Sequence, residues 1–128
     1  IAGYGSADRV PVVLPESRFI PFSEKGLYKC LSDNTPNIVL THVPPFNECA
    51  DDSIGNFSPL AYIRKHNPKL VLCGHNHKPE QWMEGDTVVV NSGNFGNYGD
   101  SKTKGTYSEI EIKDNGSDEE TTVTPLVL

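Results

Sequence analysis

The sequence holds four histidines, and three of them stand at the ends of apolar runs. His42 closes Ile38-Val39-Leu40-Thr41-His42-Val43 ahead of Pro44-Pro45, while His75 and His77 stand in Gly74-His75-Asn76-His77, directly after Lys69-Leu70-Val71-Leu72-Cys73. Neutral imidazole is a good ligand for zinc, iron, nickel and manganese-class ions. Histidines at i and i+2 share a metal poorly on a helix, but a tight turn led by glycine can aim them at one ion or at two neighbouring ones. Three neutral ligands leave a divalent cation its full charge. That favours anionic substrates such as phosphate esters and draws the pKa of a coordinated water towards neutrality. One histidine at a strand end is an ordinary polar terminus; His-x-His joined by a third at the same edge is a metal-site pattern. His66 reads as a cation at a helix end. Asp51 and Asp52, in the loop after Pro45, could approach the site or remain a solvated pair.

Positioning these side chains requires two strands whose ends meet. The β-branched run before His42 and the apolar run before Gly74 are buried-strand patterns. Between them, Ser58-Pro59 reads as an N-cap followed by proline at the first helical position. Phe57, Leu60 and Ile63 form a stripe, Arg64-Lys65-His66 places positive charge in the last turn, and Asn67-Pro68 stops the helix. Strand, helix and strand in so short a span make a βαβ unit with parallel strands and a right-handed crossover. Parallel strands share their C-terminal edge, which is where open α/β sheets bind ligands. The pattern therefore predicts His42, His75 and His77 at one edge, with imidazole nitrogens of neighbours within about 8 Å. Upstream, Ser23-Glu24-Lys25 opens a shorter helix with Leu27, Cys30 and Leu31 on one face, ended by Asp33-Asn34-Thr35-Pro36; residues 6–22 read as loop. Downstream, residues 81–83, 87–91, 106–113 and 121–128 read as strands. Gly85-Asp86 and Asp114-Asn115-Gly116 are the hairpin turns, so this part is expected to be mainly antiparallel. The acidic residues between 111 and 120 read as a solvated hairpin tip.

The chain has 128 residues, one domain's worth, with 36% hydrophobic residues. Lysine and arginine number 11 against 17 acidic residues, giving a net charge of −6. That balance disfavours general nucleic-acid binding. No apolar run approaches the ~18 residues of a membrane span, and no basic region precedes an apolar one as in a signal peptide. Three cysteines, Cys30, Cys49 and Cys73, contain no C-x-x-C pair. Their odd number favours a reducing compartment, and a cytoplasmic location is expected. The opening Ile1-Ala2-Gly3-Tyr4-Gly5 reads as the interior of a strand, so residues 1–128 are expected to be a single partial domain.

Taken together, Val39-Leu40-Thr41-His42-Val43-Pro44-Pro45, Cys73-Gly74-His75-Asn76-His77 and Val89-Val90-Asn91-Ser92-Gly93 resemble the last three blocks of the calcineurin-like metallophosphoesterases, over residues ~37–113. In that family a strand ends in a lone metal-binding histidine before a proline-rich loop, a second strand leads into Gly-His-x-His, and an Asn-Pro-Gly-like turn follows. Ser92 stands where the family often has proline. The resemblance implies an α/β fold: a βαβ unit followed by mainly antiparallel strands, forming the C-terminal half of a β-sandwich flanked by helices. It implies that His42 and His75 bind one metal of a binuclear pair and His77 the other, the ions being Mn, Ni, Zn or Fe. The implied reaction is hydrolysis of a phosphomonoester or phosphodiester by in-line attack of a metal-activated hydroxide. The family's Asp-x-His, Gly-Asp-x-x-Asp and Gly-Asn-His blocks do not occur in these residues. The chain alone is therefore expected to be an incomplete, inactive site that self-associates or needs a complementing N-terminal half. The loops at 46–56 and 94–105, with Asn47, Asn56, Asn94, Phe95, Asn97 and Tyr98, are the candidates for specificity. Gly93, Gly96 and Gly99 would let the second loop approach a ligand, or leave it a flexible surface loop.

Other His-x-His folds fit less well. A cupin wants its glutamate further on than Glu80 and has no helical crossover before the motif, and an amidohydrolase barrel needs a far longer chain. The rival from another class is a non-catalytic interaction module, or an inert fragment, on the same fold.

Overall fold

In the computed structural model, residues 1–5, 23–32, 35–47, 55–94, 105–114 and 119–127 are described. Seven strands and two helices follow along them: β1 (Ala2–Tyr4), α1 (Glu24–Ser32), β2 (Ile38–Thr41), α2 (Phe57–His66), β3 (Leu70–Cys73), β4 (Pro79–Glu84), β5 (Thr87–Ser92), β6 (Thr106–Asp114) and β7 (Glu119–Val127). Five strands form one sheet in the order β1-β2-β3-β5-β4, and β6 with β7 forms a separate antiparallel ribbon. The fold is thus α/β, with a parallel sheet and antiparallel additions. No helix among the described residues is long and apolar enough to cross a membrane.

The expected βαβ unit is present. β2 pairs parallel with β3, Ile38 opposite Leu70 and Leu40 opposite Leu72. A second such unit precedes it, because β1 also pairs parallel with β2, Gly3 opposite Leu40. Successive right-handed crossovers that advance across a sheet in one direction place their helices on one face. Both helices do pack there: Leu27 and Leu31 from α1 meet Tyr62 and Ile63 from α2 over Val39, Val71 and Val89 of the sheet. The Tyr62 hydroxyl donates to the Leu31 carbonyl at 3.3 Å, so the largest buried side chain keeps its polar atom satisfied.

Local sequence explains where each helix starts. Ser23 caps α1, its Oγ accepting from the Gly26 amide at 3.1 Å. The cap of α2 is Asn56, not Ser58: the Asn56 carboxamide accepts from Ser58 N at 2.8 Å with extended backbone. Pro59 therefore sits at the third helical position, where its amide is still one of the orphans. Phe57 leaves the expected stripe as well, being 64% exposed while Leu60, Tyr62 and Ile63 are buried. In the first turn its ring stacks on Phe46 of the preceding loop, 4.4 Å between centroids, instead of reaching the sheet. Asn67 ends the helix in the left-handed conformation (φ 46°), its amide donating to the Ile63 carbonyl, and Pro68 follows as the stop.

The C-terminal strands are antiparallel where expected, in β4–β5 and β6–β7. β5 also pairs parallel with β3, Leu70 opposite Val88 and Cys73 opposite Asn91. Composition accounts for this. Thr87, Val89, Val90 and Asn91 are buried, as suits an interior strand, whereas Pro79, Gln81 and Met83 of β4 are exposed, as suits an edge. Gly85, with φ 59°, makes the tight turn between them. The Asp114-Asn115-Gly116 turn lies partly outside the described residues. Glu111 is exposed and pairs with Lys113 at 3.3 Å, a surface contact worth little.

Because Asn56 caps α2, Asn56→Ala is expected to lower stability by about 1 kcal/mol, and Ser58→Ala by clearly less. Urea unfolding midpoints of the two variants measure this; the reverse order would return the cap to Ser58.

Candidate metal centre

The C-terminal ends of β2 and β3 place two of the three motif histidines in contact. His42 follows β2, and its amide extends the β1–β2 ladder by donating to the Tyr4 carbonyl at 3.3 Å. The Thr41 hydroxyl, buried, donates to the Val43 carbonyl at 2.6 Å and clamps the turn that carries His42. The His42 carbonyl in turn accepts from the Gly74 amide at 3.1 Å, tying this turn to the one after β3. Across that tie, His75 Nδ1 and His42 Nε2 lie 3.2 Å apart, with the rings edge to face at 5.1 Å between centroids. His42 is exposed and His75 half-buried.

His77 is exposed on the same turn, but among the described residues no three histidine, cysteine, aspartate or glutamate side chains converge on one point. Asp51, Asp52, Phe95, Gly96, Asn97, Tyr98 and Gly99 lie outside the described residues. His66 sits in the last turn of α2, stacked on Tyr62 at 4.5 Å, and its buried Nε2 has no hydrogen-bond partner among the described residues.

The spacing of the pair matches what a metal would require. Two nitrogen ligands bound at about 2.0–2.1 Å to one ion are about 2.9 Å apart in octahedral geometry and about 3.4 Å apart in tetrahedral geometry. The 3.2 Å between His42 Nε2 and His75 Nδ1 falls between these values. The donor set fits a cation of the imidazole-binding class, with two protein ligands supplied. Among the described residues Cys73, one residue before the turn, does not join the pair as a third ligand. Burial pushes its thiol up to about 12, the nearby Glu80 charge adding to the effect, and its Sγ donates to the Val90 carbonyl at 3.5 Å.

The turn itself is held in an unusual backbone conformation. His75 (φ 76°) and His77 (φ 55°) are both left-handed, a state costing about 1–3 kcal/mol per residue unless the surroundings enforce it. Asn91 enforces it from the neighbouring strand. Only 1% exposed, it donates through Nδ2 to the Gly74 carbonyl at 2.9 Å and to Asn76 Oδ1, and its Oδ1 accepts from the Gly93 amide at 2.9 Å. Asn76 Oδ1 also accepts from the Lys78 amide at 3.3 Å. The sequence reading leaves Asn91 in the later turn without a role. Its signal was a polar residue ending Val88-Val89-Val90, since a buried amide must find partners. Gly93 (φ 79°) completes the support: a Cβ there would run into Thr106 Oγ1 and Pro79. The backbone amide of Asn94, a specificity candidate, donates to Thr106 Oγ1 at 3.1 Å. A shallow groove of about 390 Å³, lined by Gly3, Tyr4, Leu40 and Cys73 among others, leads to His42.

The family model for calcineurin-like phosphoesterases matches residues 4–79. Among solved structures, TT1561 of Thermus thermophilus superposes with a TM-score of 0.61 at 23% identity, over 94% of this chain and 51% of that one. The chain thus spans about half the length of that protein. Wild-type Vps29 complexed with zinc from Entamoeba histolytica is also similar, at a TM-score of 0.37 and 13% identity, over 98% of this chain and 97% of that one. No curated protein matches the sequence.

Burial and protonation together predict that Cys73 resists iodoacetamide in the folded chain at pH 8 and reacts once the chain is unfolded. Peptide mass spectrometry reads the modification. Rapid native labelling would show an accessible thiolate and reopen Cys73 as a ligand.

Proposed function

Since the chain belongs to the calcineurin-like phosphoesterase family, we propose that it supplies part of the metal centre of a phosphoester hydrolase. In this reading His42 and His75 hold one divalent ion and His77 a second. The observation that supports it most is the 3.2 Å spacing of His42 Nε2 and His75 Nδ1 at the shared edge of two parallel strands. When bound, such ions supply Lewis acidity towards phosphoryl oxygens. The chain's own contribution is placement. Neutral imidazoles leave the ion's charge undiminished for an anionic ester, which matters in a chain whose own net charge is −6. The substrate is then a phosphomonoester or phosphodiester, and the ions come from the Mn, Ni, Zn and Fe class that imidazole suits.

In this reading residues 1–128 act as one partial domain, and the carboxylates that would balance a metal pair come from the family blocks that do not occur in these residues. The odd cysteine count without a C-x-x-C pair supports a reducing, cytoplasmic setting. A second reading, a non-catalytic interaction module, draws on the lack of a three-ligand cluster among the described residues and on Leu40, 43% exposed on β2. In that case the open face would serve self-association or a complementing half.

Calorimetric titration with Mn²⁺, together with hydrolysis of bis-p-nitrophenyl phosphate, separates the readings. The 128-residue chain is expected to bind the ion weakly and to turn over no ester. The longer protein that completes the ligand set is expected to turn it over, with His42→Ala and His75→Ala each lowering the rate at least about 100-fold. Absence of metal binding and of turnover in both would leave the interaction module standing. Robust turnover by the chain alone, abolished by His75→Ala, would overturn the partial-domain reading.

A further inference from the structure

We propose that Asn91 is the positioning residue of this centre: its buried carboxamide locks the Gly74-His75-Asn76-His77 turn so that His75 Nδ1 is delivered to His42 Nε2. The inference deepens the reading of His75 as a ligand and rests on it for its functional meaning. Its geometric part stands independently.

Three facts converge on Asn91. Its side chain is almost fully enclosed, so every hydrogen bond it makes is specified by the protein rather than by water. Among the described residues all of its side-chain hydrogen bonds go to turns flanking the site: Nδ2 to the Gly74 carbonyl and to Asn76 Oδ1, and Oδ1 from the Gly93 amide. The bonds bracket His75 on both sides, at the residue before it and at the residue after it. An αL residue between two fixed points has little freedom to relax, and its imidazole takes the direction that the turn dictates.

Strand pairing makes this bracket possible. Asn91 lies opposite Cys73 in the parallel β3–β5 register, one position before the turn begins. Its side chain therefore reaches over the strand end into the turn. The assignment also explains why a carboxamide is needed. The turn presents one carbonyl and one side-chain oxygen that must be given protons, and an amide on the far side that must be given an acceptor; Asn offers two donors and one acceptor oxygen. Aspartate, of the same shape, would face both oxygens without a proton to give.

Imidazole ¹⁵N–¹H spectra of the metal-free chain test the geometry, and Co²⁺ absorption titrations test its consequence. The variants are Asn91→Ala, Asn91→Asp, the half-exposed Asn76→Ala, and Val89→Ala. The last removes buried volume from the same strand without touching the turn. In wild type, the His75 and His42 signals are expected to report a shared hydrogen bond. Asn91→Ala and Asn91→Asp are expected to abolish it and to weaken Co²⁺ binding by about 10- to 100-fold, with Asn76→Ala giving a smaller loss in the same direction. Val89→Ala is expected to lower thermal stability while leaving both readouts at wild-type values. Should the Asn91 variants not fold, Asn76→Ala against Val89→Ala decides the matter by itself. Unchanged His75 signals in the Asn variants, or equal changes in Val89→Ala, would overturn the proposal. Intact imidazole pairing with no Co²⁺ binding in wild type would instead retain Asn91's role and refute the metal reading.

Discussion

The parallel register of β2, β3 and β5 is the constraint from which the rest of this structure follows. Leu40 lies opposite Leu72, and Cys73 opposite Asn91, so three strand ends finish within one residue of one another. Those ends deliver His42, the Gly74-His75-Asn76-His77 turn and Asn91 to one edge. A slip of one residue would turn every side chain of a strand to the other face. The apolar burial of Val39, Val71 and Val89 under the two helices resists such a slip. Core packing and site geometry are therefore fixed by the same ladder.

Polar groups at that edge refine what the ladder begins. Thr41 clamps one turn, the bond from the Gly74 amide to the His42 carbonyl joins the two turns, and Asn91 braces the second from across the sheet. None of these groups carries charge, so the edge is preorganised without adding to the chain's negative balance. A cation held by neutral imidazoles in such a setting keeps its attraction for anions.

Much of this was legible in the sequence because it depends on local signals. The apolar runs before His42 and Gly74, the Asn67-Pro68 stop and the Gly85 turn each act over a few residues, and the βαβ reading followed from them. What escaped depends on contacts distant in sequence. Phe57 follows helical spacing, yet stacking on Phe46 draws it away from the sheet. The cap fell to Asn56 because two acceptable capping residues lie two positions apart, and only the observed backbone separates them. That β5, not β4, adjoins β3 follows only from comparing the two strands, β5 the more apolar, and not from either pattern alone. Asn91 matters through bonds to residues 15 and 17 positions away, although its burial in a valine run was a readable sign. The histidines themselves were found by residue type and spacing, and the structure adds that His42 and His75 touch.

The central claim is that His42 and His75 bind one ion together. X-ray absorption fine structure of the chain loaded with one equivalent of Zn²⁺, compared between wild type and His77→Ala, tests it most directly. The account predicts multiple scattering from two imidazoles at about 2.0–2.1 Å in both samples, and loss of one imidazole in His42→Ala or in His75→Ala. A wild-type spectrum with fewer than two imidazoles, or one unchanged by removing His42 or His75, would contradict it.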